Sequence, residues 1–297
     1  MTETTIKTKE HLHPKNKHAQ EYDFDFLCHE NSDLNDFIYV NKFNAKTIDF
    51  ANPKAVKCLN RSLLRAYYDI DYWDFSDYNL CPPIPGRVDY IHYLADLIEA
   101  SEIIKGVKIL DIGTGATCIY PLLGQAEYGW EFVGVDVDED SLNNAKQIVI
   151  KNGLADKISF RFQQQVSNIL KGVVLEGEQF TATMCNPPFY KSEEEAKAAT
   201  MKKLKGLNKD TTQLIRNFAG TQNELWYKGG EKAFLHNYLY ESSLFKNQSI
   251  WFTSLVSKKD LIRGLKVYLK KLGATKVQVI NMEQGNKTSR VLAWSFL

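Results

Sequence analysis

Clustered cysteine, long apolar runs and surplus charge are all scarce in this chain, and each shortage removes a class of function. The five cysteines (Cys28, Cys58, Cys81, Cys118, Cys185) are odd in number, scattered and never in C-x-x-C spacing. That pattern argues against a disulfide framework or a zinc site and leaves reduced thiols in packed positions. No apolar stretch approaches the roughly 20 residues that span a bilayer. Lys7, Lys9, Lys15 and Lys17 have no apolar segment behind them, so neither a secretory leader nor a membrane is expected, and the location is cytoplasmic. The net charge is only +1, so any case for nucleic acid rests on local clusters.

The chain has 297 residues, 44% of them apolar and 12% aromatic, enough for one large core with a smaller attached module. From Val107 onward, apolar runs of strand length alternate with helical patterns: Val107 to Ile112, Phe132 to Val137, Ile158 to Phe162, Phe180 to Cys185, Ile250 to Val256, Lys276 to Met282 and Val291 to Leu297. This alternation predicts an α/β fold with a Rossmann-like, doubly wound, mostly parallel sheet. The connection Glu283 to Ser289 is too short for a crossover helix, so the last two strands pair antiparallel. That ending fits a class I methyltransferase better than a dehydrogenase. Residues 1–81 read as a small N-terminal module and 82–297 as the main domain, with a long polar insertion at about 190–230. In the module, Asn52-Pro53 starts a helix with Val56, Leu59, Leu63 and Tyr67 on one face. Arg87 opens another, after the stiff Cys81-Pro-Pro-Ile-Pro-Gly86 connector.

Two motifs carry the chemistry. In Asp111-Ile-Gly113-Thr-Gly115-Ala116, the glycines follow the first predicted strand and let backbone approach a ligand closely. The turn is neither a phosphate loop nor a full G-x-G-x-x-G, since Cys118 stands at the third glycine's place, which disfavours a dinucleotide. Asp136 ends the second strand about twenty residues on, where an acid accepts ribose hydroxyls. At the end of the fourth strand stands Asn186-Pro187-Pro188-Phe189. The Asn186 side-chain carbonyl and the Pro187 backbone carbonyl are two acceptors for the protons of a planar amine. The prolines stiffen the backbone, and Phe189 offers a flat face for a base. Together the motifs predict methyl transfer from S-adenosylmethionine onto a planar nitrogen, by positioning and with no metal.

Three basic clusters are candidate RNA contacts: the N-terminal segment with Lys15 and Lys17; Lys202, Lys203, Lys205 and Lys209; and Lys258, Lys259, Arg263, Lys266, Lys270 and Lys271. The second flanks Phe189, where phosphate contacts would offset the cost of extruding a base. Trp226 and Tyr227 are candidates to stack on a neighbouring base. His11, His13 and His18 lack carboxylate or cysteine partners at ligand spacing and read as solvent-exposed. His92 reads as a helix-face residue.

His11-Leu-His13-Pro14-Lys15-Asn16, Tyr22-Asp-Phe24, Ile48-Asp49-Phe50-Ala51, Leu80-Cys-Pro-Pro-Ile-Pro-Gly-Arg87, Tyr90-Ile-His92, Asn186-Pro-Pro-Phe189, Trp251 to Ser257 and Gly285-Asn286-Lys287 run almost the length of the chain. With these motifs the chain resembles the bacterial 23S ribosomal RNA adenine-N(6) methyltransferase family, whose catalytic half is similar to a human methyltransferase of U6 small nuclear RNA. The resemblance implies that 23S ribosomal RNA or a large-subunit precursor is the partner. It also implies that Arg87 contacts the donor at its carboxylate, that Gly113 and Thr117 belong to the donor loop, that Asp136 is the ribose ligand and that Asn186 is the clamp residue. A monomer is expected. Three other readings stay open: another adenine-N(6) methyltransferase of RNA or DNA, a protein glutamine methyltransferase, and a non-catalytic RNA-binding ribosome-assembly factor.

Overall fold

The structure is a computed structural model that describes residues 12–77, 79–102, 106–196, 198, 226–284 and 287–297. After helix α1 (Phe24–Glu30) and a short 3-10 helix, strands β1 (Ile38–Val40) and β2 (Lys46–Ile48) form a small hairpin. Helix α2 (Pro53–Tyr68) starts as its sequence predicts: the Asn52 side chain accepts from the backbone N–H groups of Lys54 and Ala55, and proline occupies the first turn. Helix α3 (Ile84–Glu99) begins three residues before Arg87, because Pro85 in its first turn needs no N–H partner there.

The main sheet contains β3 (Lys108–Ile112), β4 (Glu131–Asp136), β5 (Ile158–Phe162), β6 (Phe180–Cys185), β7 (Ser249–Val256), β8 (Lys276–Gln284) and β9 (Lys287–Ser295), in the order β5-β4-β3-β6-β7-β9-β8. Strands β3 to β7 are parallel, and β9 runs antiparallel to both its neighbours, β7 and β8. The reversed strand is thus one place in from the edge. The final hairpin is longer than its apolar residues suggest, with pairing continued to Gln284 and Lys287, because ladder hydrogen bonds do not require apolar side chains. Helices α4 (Ile119–Tyr128), α5 (Glu139–Lys151), α6 (Gly230–Leu244) and α7 (Lys259–Leu272) complete the described elements.

Two apolar clusters fill the sheet's faces. One joins Leu27, Leu63 and Trp73 of the first 81 residues to Ile91 of α3, Ile109 of β3 and Ile148 of α5. The other joins Leu235 and Leu239 of α6 and Leu265 and Leu269 of α7 to Leu110, Phe252 and Leu292. Burial on both faces explains why the parallel strands read as near-continuous apolar runs.

The expectation of exposed N-terminal histidines is overturned for His13 and His18, which are 3% and 1% exposed; His11 lies outside the described residues. The His13 backbone N–H donates to Asp89 and its ring bonds Asp96 at 2.8 Å. Asn16 donates to Asp89 and to the Pro85 carbonyl, while the His18 ring bonds the Tyr68 hydroxyl at 2.7 Å. His92 does lie on α3, but its ring is buried, stacks on His13 and bonds the Tyr128 hydroxyl. No helix among the described residues is long and apolar enough to cross a membrane.

Candidate active site

The carboxyl ends of β3, β4 and β6 open onto a cavity of about 490 Å³. This is where a parallel sheet exposes the loops that bind ligands, and the volume lies within the range of about 300–1,000 Å³ usual for small-molecule sites.

The first wall is the loop after β3. Gly113 and Gly115 have φ of +74° and +65°, and an added Cβ at Gly113 would meet nothing within 4 Å. Backbone conformation rather than space therefore calls for glycine at Gly113. The Gly113 and Thr114 N–H groups donate to the Val135 carbonyl at 2.8 and 3.0 Å. The Gly115 N–H donates to Asp136 Oδ2 at 2.8 Å. From outside the loop, Asn144 donates to the Ala116 carbonyl at 2.8 Å and the Trp73 indole to the Thr117 carbonyl at 2.9 Å. The loop is thus held from β4, α5 and the N-terminal part of the chain.

Beneath it lie two buried acids. Burial pushes the Asp111 carboxyl up to about 7; Thr114 and Arg87 oppose that shift and the nearby Asp136 charge reinforces it. Thr114 stands beside Asp111, although no aligned hydrogen bond joins them. Burial also raises Asp136, against the N–H donors Gly115, Asp138 and Val137, which favour its charged form. Asp136 therefore serves two masters: it braces the glycine turn and faces the cavity. Arg87, from the first turn of α3, reaches the opposite wall, where its guanidinium donates to the Tyr120 hydroxyl at 2.9 Å.

The second wall is the end of β6. Asn186 and Pro188 line the cavity; Pro187 is buried beside them, and Phe189, next in the chain, does not line it and is 36% exposed. The Asn186 side-chain oxygen is sealed from solvent with no partner among the described residues. A polar network below fixes this strand end. The Tyr90 hydroxyl bonds Thr253 Oγ1 at 2.8 Å and accepts from the Cys185 N–H at 3.4 Å, while Thr253 Oγ1 donates to the Thr183 carbonyl and Thr183 pairs with the Tyr238 hydroxyl. Buried hydroxyls satisfied in this way specify one arrangement of the strand end.

Arg87, Gly113, Gly115, Thr117, Asp136, Asn186 and Pro188 are thus brought to one cavity, with Asp111 buried just behind it. Lys15 and Lys17 sit apart from it and are ion-paired, Lys15 with Asp96 and Glu99 and Lys17 with Glu127. Lys202, Lys203, Lys205 and Lys209 lie outside the described residues. Trp226, Tyr227 and Lys228 line the cavity; a backbone bridge couples Trp226 to Tyr190, just past Phe189.

Gln163 and residues 166–169 form the third wall, for which the sequence motifs single out no ligand-binding residue. Glu241 on α6, only 5% exposed, accepts the backbone N–H groups of Ile169, Leu170 and Lys171, the last two at 2.7 and 2.8 Å. Asn237, one helical turn earlier, donates to the Ser167 carbonyl. Nothing local marks Glu241, which lies about seventy residues from its partners. Among the described residues no group of three or more His, Cys, Asp or Glu side chains could hold a metal ion.

A family model described as RNA methyltransferase matches residues 6–297. The chain is 47% identical over 293 residues to the ribosomal RNA large subunit methyltransferase F of Aeromonas salmonicida, covering 97% of this chain and 92% of that protein. It is 46% identical over 298 residues to the protein of that name from Flavobacterium johnsoniae, covering 97% and 94%. Among solved structures it is similar to the human METTL16 catalytic domain in complex with MAT2A 3′UTR hairpin 1, with TM-score 0.82, 30% identity and coverage of 97% and 96%. It is likewise similar to the N-terminal domain of human METTL16 in complex with SAH, with TM-score 0.78, 29% identity and coverage of 96% and 99%.

Proposed function

The chain belongs to the ribosomal RNA large subunit methyltransferase F family, and from that premise we propose that it methylates the exocyclic N(6) amine of a single adenine in 23S ribosomal RNA, using S-adenosylmethionine. The observation that carries this reading is the convergence, in one cavity, of a glycine turn braced by Asp136 with the Asn186 clamp.

The residues present fit the donor. Gly113, Gly115 and Thr117 offer close-approaching backbone, Asp136 an acceptor for hydroxyls and Arg87 a cation for a carboxylate. When bound, the donor supplies an electrophilic methyl on a positively charged sulfur. Asn186 Oδ1, an acceptor without a partner among the described residues, would take one amine proton, and the Pro187 carbonyl the other. Both bonds hold the nitrogen in place and leave its lone pair free. Orientation of this kind supplies roughly 7–11 kcal/mol in favourable systems. Phe189, exposed just past Pro188, would stack the extruded base, worth about 1–3 kcal/mol. The proton released goes to water, so no general base is required.

Residues 1–81 would engage RNA through the Lys15 and Lys17 segment, joined by Lys202, Lys203 and Lys205, with no membrane involved and the enzyme acting as a cytoplasmic monomer. The deciding experiment supplies labelled donor to separate RNA and protein pools, then maps the label by mass in large-subunit RNA. Label in one adenine, lost with Asn186→Ala while donor affinity by calorimetry stays nearly unchanged, is the expected result. Label in protein glutamine would overturn the RNA reading, as would normal donor binding with no transfer to any pool. An active Asn186→Ala enzyme would overturn the clamp.

A further inference from the structure

Resting on the reading that the substrate is RNA, we infer that one face of α7 is a phosphate track leading from the cavity rim. Within this helix Lys259, Arg263, Lys266 and Lys270 follow one another at spacings of four, three and four residues. At about 100° per residue they share an arc of roughly 60°, and at about 1.5 Å per residue they form a row roughly 16 Å long. All four are exposed, as are Lys258 and Lys271 beside them, whereas Leu265 and Leu269 on another face are buried in the core. Asp260 is the helix's only acid.

Two observations separate this face from an ordinary solvated one. Some cations elsewhere are neutralised, Lys57 by Asp74 and Lys108 and Arg161 by Glu178, and exposed ones such as Lys146 and Lys246 stand singly rather than in a row. Neither the five on α7 nor Lys258 just before it is ion-paired with a described residue. Like charges three and four residues apart repel along a helix; Asp260, three residues before Arg263, and the helix C-terminus beside Lys270 and Lys271 offset part of that repulsion, and a polyanion would offset the rest.

The second observation is placement. Thr183 of β6 is level with Phe252 of β7, so the same register puts Asn186 level with Leu255, one strand away. Lys258 and Lys259 follow directly. Ser257 donates through both its N–H and its hydroxyl to Glu231 in the first turn of α6, next to the cavity-lining Lys228. The row therefore begins at the rim that holds the clamp and leads away from it. Phosphates flanking an extruded base would meet Lys228 first and then the row.

The test compares Arg263→Gln with Lys266→Gln as one double variant against an equally exposed pair, Lys146→Gln with Lys246→Gln. Affinity for a large-subunit RNA fragment containing the methylated adenine is measured over a salt series. Each lost phosphate contact lowers the slope of log affinity against log salt by about 0.7–0.9. The track predicts a slope lower by about 1.5, a raised KM for RNA, and unchanged kcat and donor binding for the first pair only. An equal change for both pairs, or an unchanged slope for the first, overturns the track. If the wild-type protein transfers no methyl group to RNA, the reading beneath it falls instead.

Discussion

The indole N–H of Trp73 donates to the carbonyl oxygen of Thr117 at 2.9 Å, buried and across 44 residues of chain. Trp73 belongs to the N-terminal part and Thr117 to the loop that lines the cavity. The first 81 residues therefore shape the cavity as well as extending the molecule. Replacing Trp73 by Phe keeps most of the apolar packing but leaves that carbonyl unpaired, at a cost of about 1–3 kcal/mol. Urea unfolding should register the loss, and calorimetry should show weaker donor binding. Unchanged donor affinity would separate the loop from this anchor.

Gly113 tests the loop from within. Its φ of +74° lies in the left-handed region, although a Cβ would find open space. Gly113→Ala should cost about 1–2 kcal/mol from backbone conformation alone, and it should weaken the donor several-fold or more as the turn relaxes. A crystal structure of the variant with φ unchanged and donor affinity intact would contradict that requirement.

What was legible in the sequence was local. The parallel strands appear as apolar runs because both faces of the sheet are covered, and the glycine turn, Asp136 and Asn186 lie at strand ends, where position follows from the pattern. The pattern alone thus puts Gly113, Asp136 and Asn186 at one rim, and all three line the cavity. Contacts between distant segments were not legible. The sequence pattern leaves His13 and His18 at the surface because their partners are remote: Asp89 for the His13 backbone and Asp96 for its ring, 76 and 83 residues away, and Tyr68 for the His18 ring, 50 residues away. Tyr90, Thr183, Tyr238 and Thr253 each pass for ordinary core or strand residues until folding joins their hydroxyls beneath Asn186.

Glu241 should be nearly as important to the cavity as the residues that line it. Its carboxylate accepts three successive backbone N–H groups, Ile169, Leu170 and Lys171, far from solvent. Charge-assisted bonds of this kind are about twice as strong as neutral ones. Glu241→Gln keeps the shape but turns one acceptor into a donor facing N–H groups, and should destabilise by roughly 2–3 kcal/mol. Hydrogen exchange should then quicken at residues 169–171 before the sheet amides change. Uniform quickening would indicate a purely global role.

His92 should make the protein sensitive to mild acid. Burial, helped by the neighbouring positive charges of His13, Lys15 and Lys17, lowers its pKa from 6.5 to about 4, against the pull of Asp96. Its Nδ1 bonds the Tyr128 hydroxyl, and Nε2 is buried without a partner among the described residues. In the unfolded chain the ring takes up a proton near pH 6.5, whereas the folded protein resists until about 4. The stabilising contribution is therefore complete above pH 6.5 and lost as pH falls toward 4, by at most about 3 kcal/mol. Asp111 acts with the opposite sign: its raised folded pKa of about 7 favours the folded state as pH falls. The slope for the wild-type protein alone is thus a sum of opposing contributions, and the informative quantity is the difference from His92→Phe at each pH. Urea unfolding at pH 7 and pH 5 should show wild-type stability relative to the variant falling by roughly 2 kcal/mol at the lower pH. An equal difference at both values would mean that His92 titrates alike in the folded and unfolded chains, and that the seal formed by His13 over α3 imposes no charge constraint.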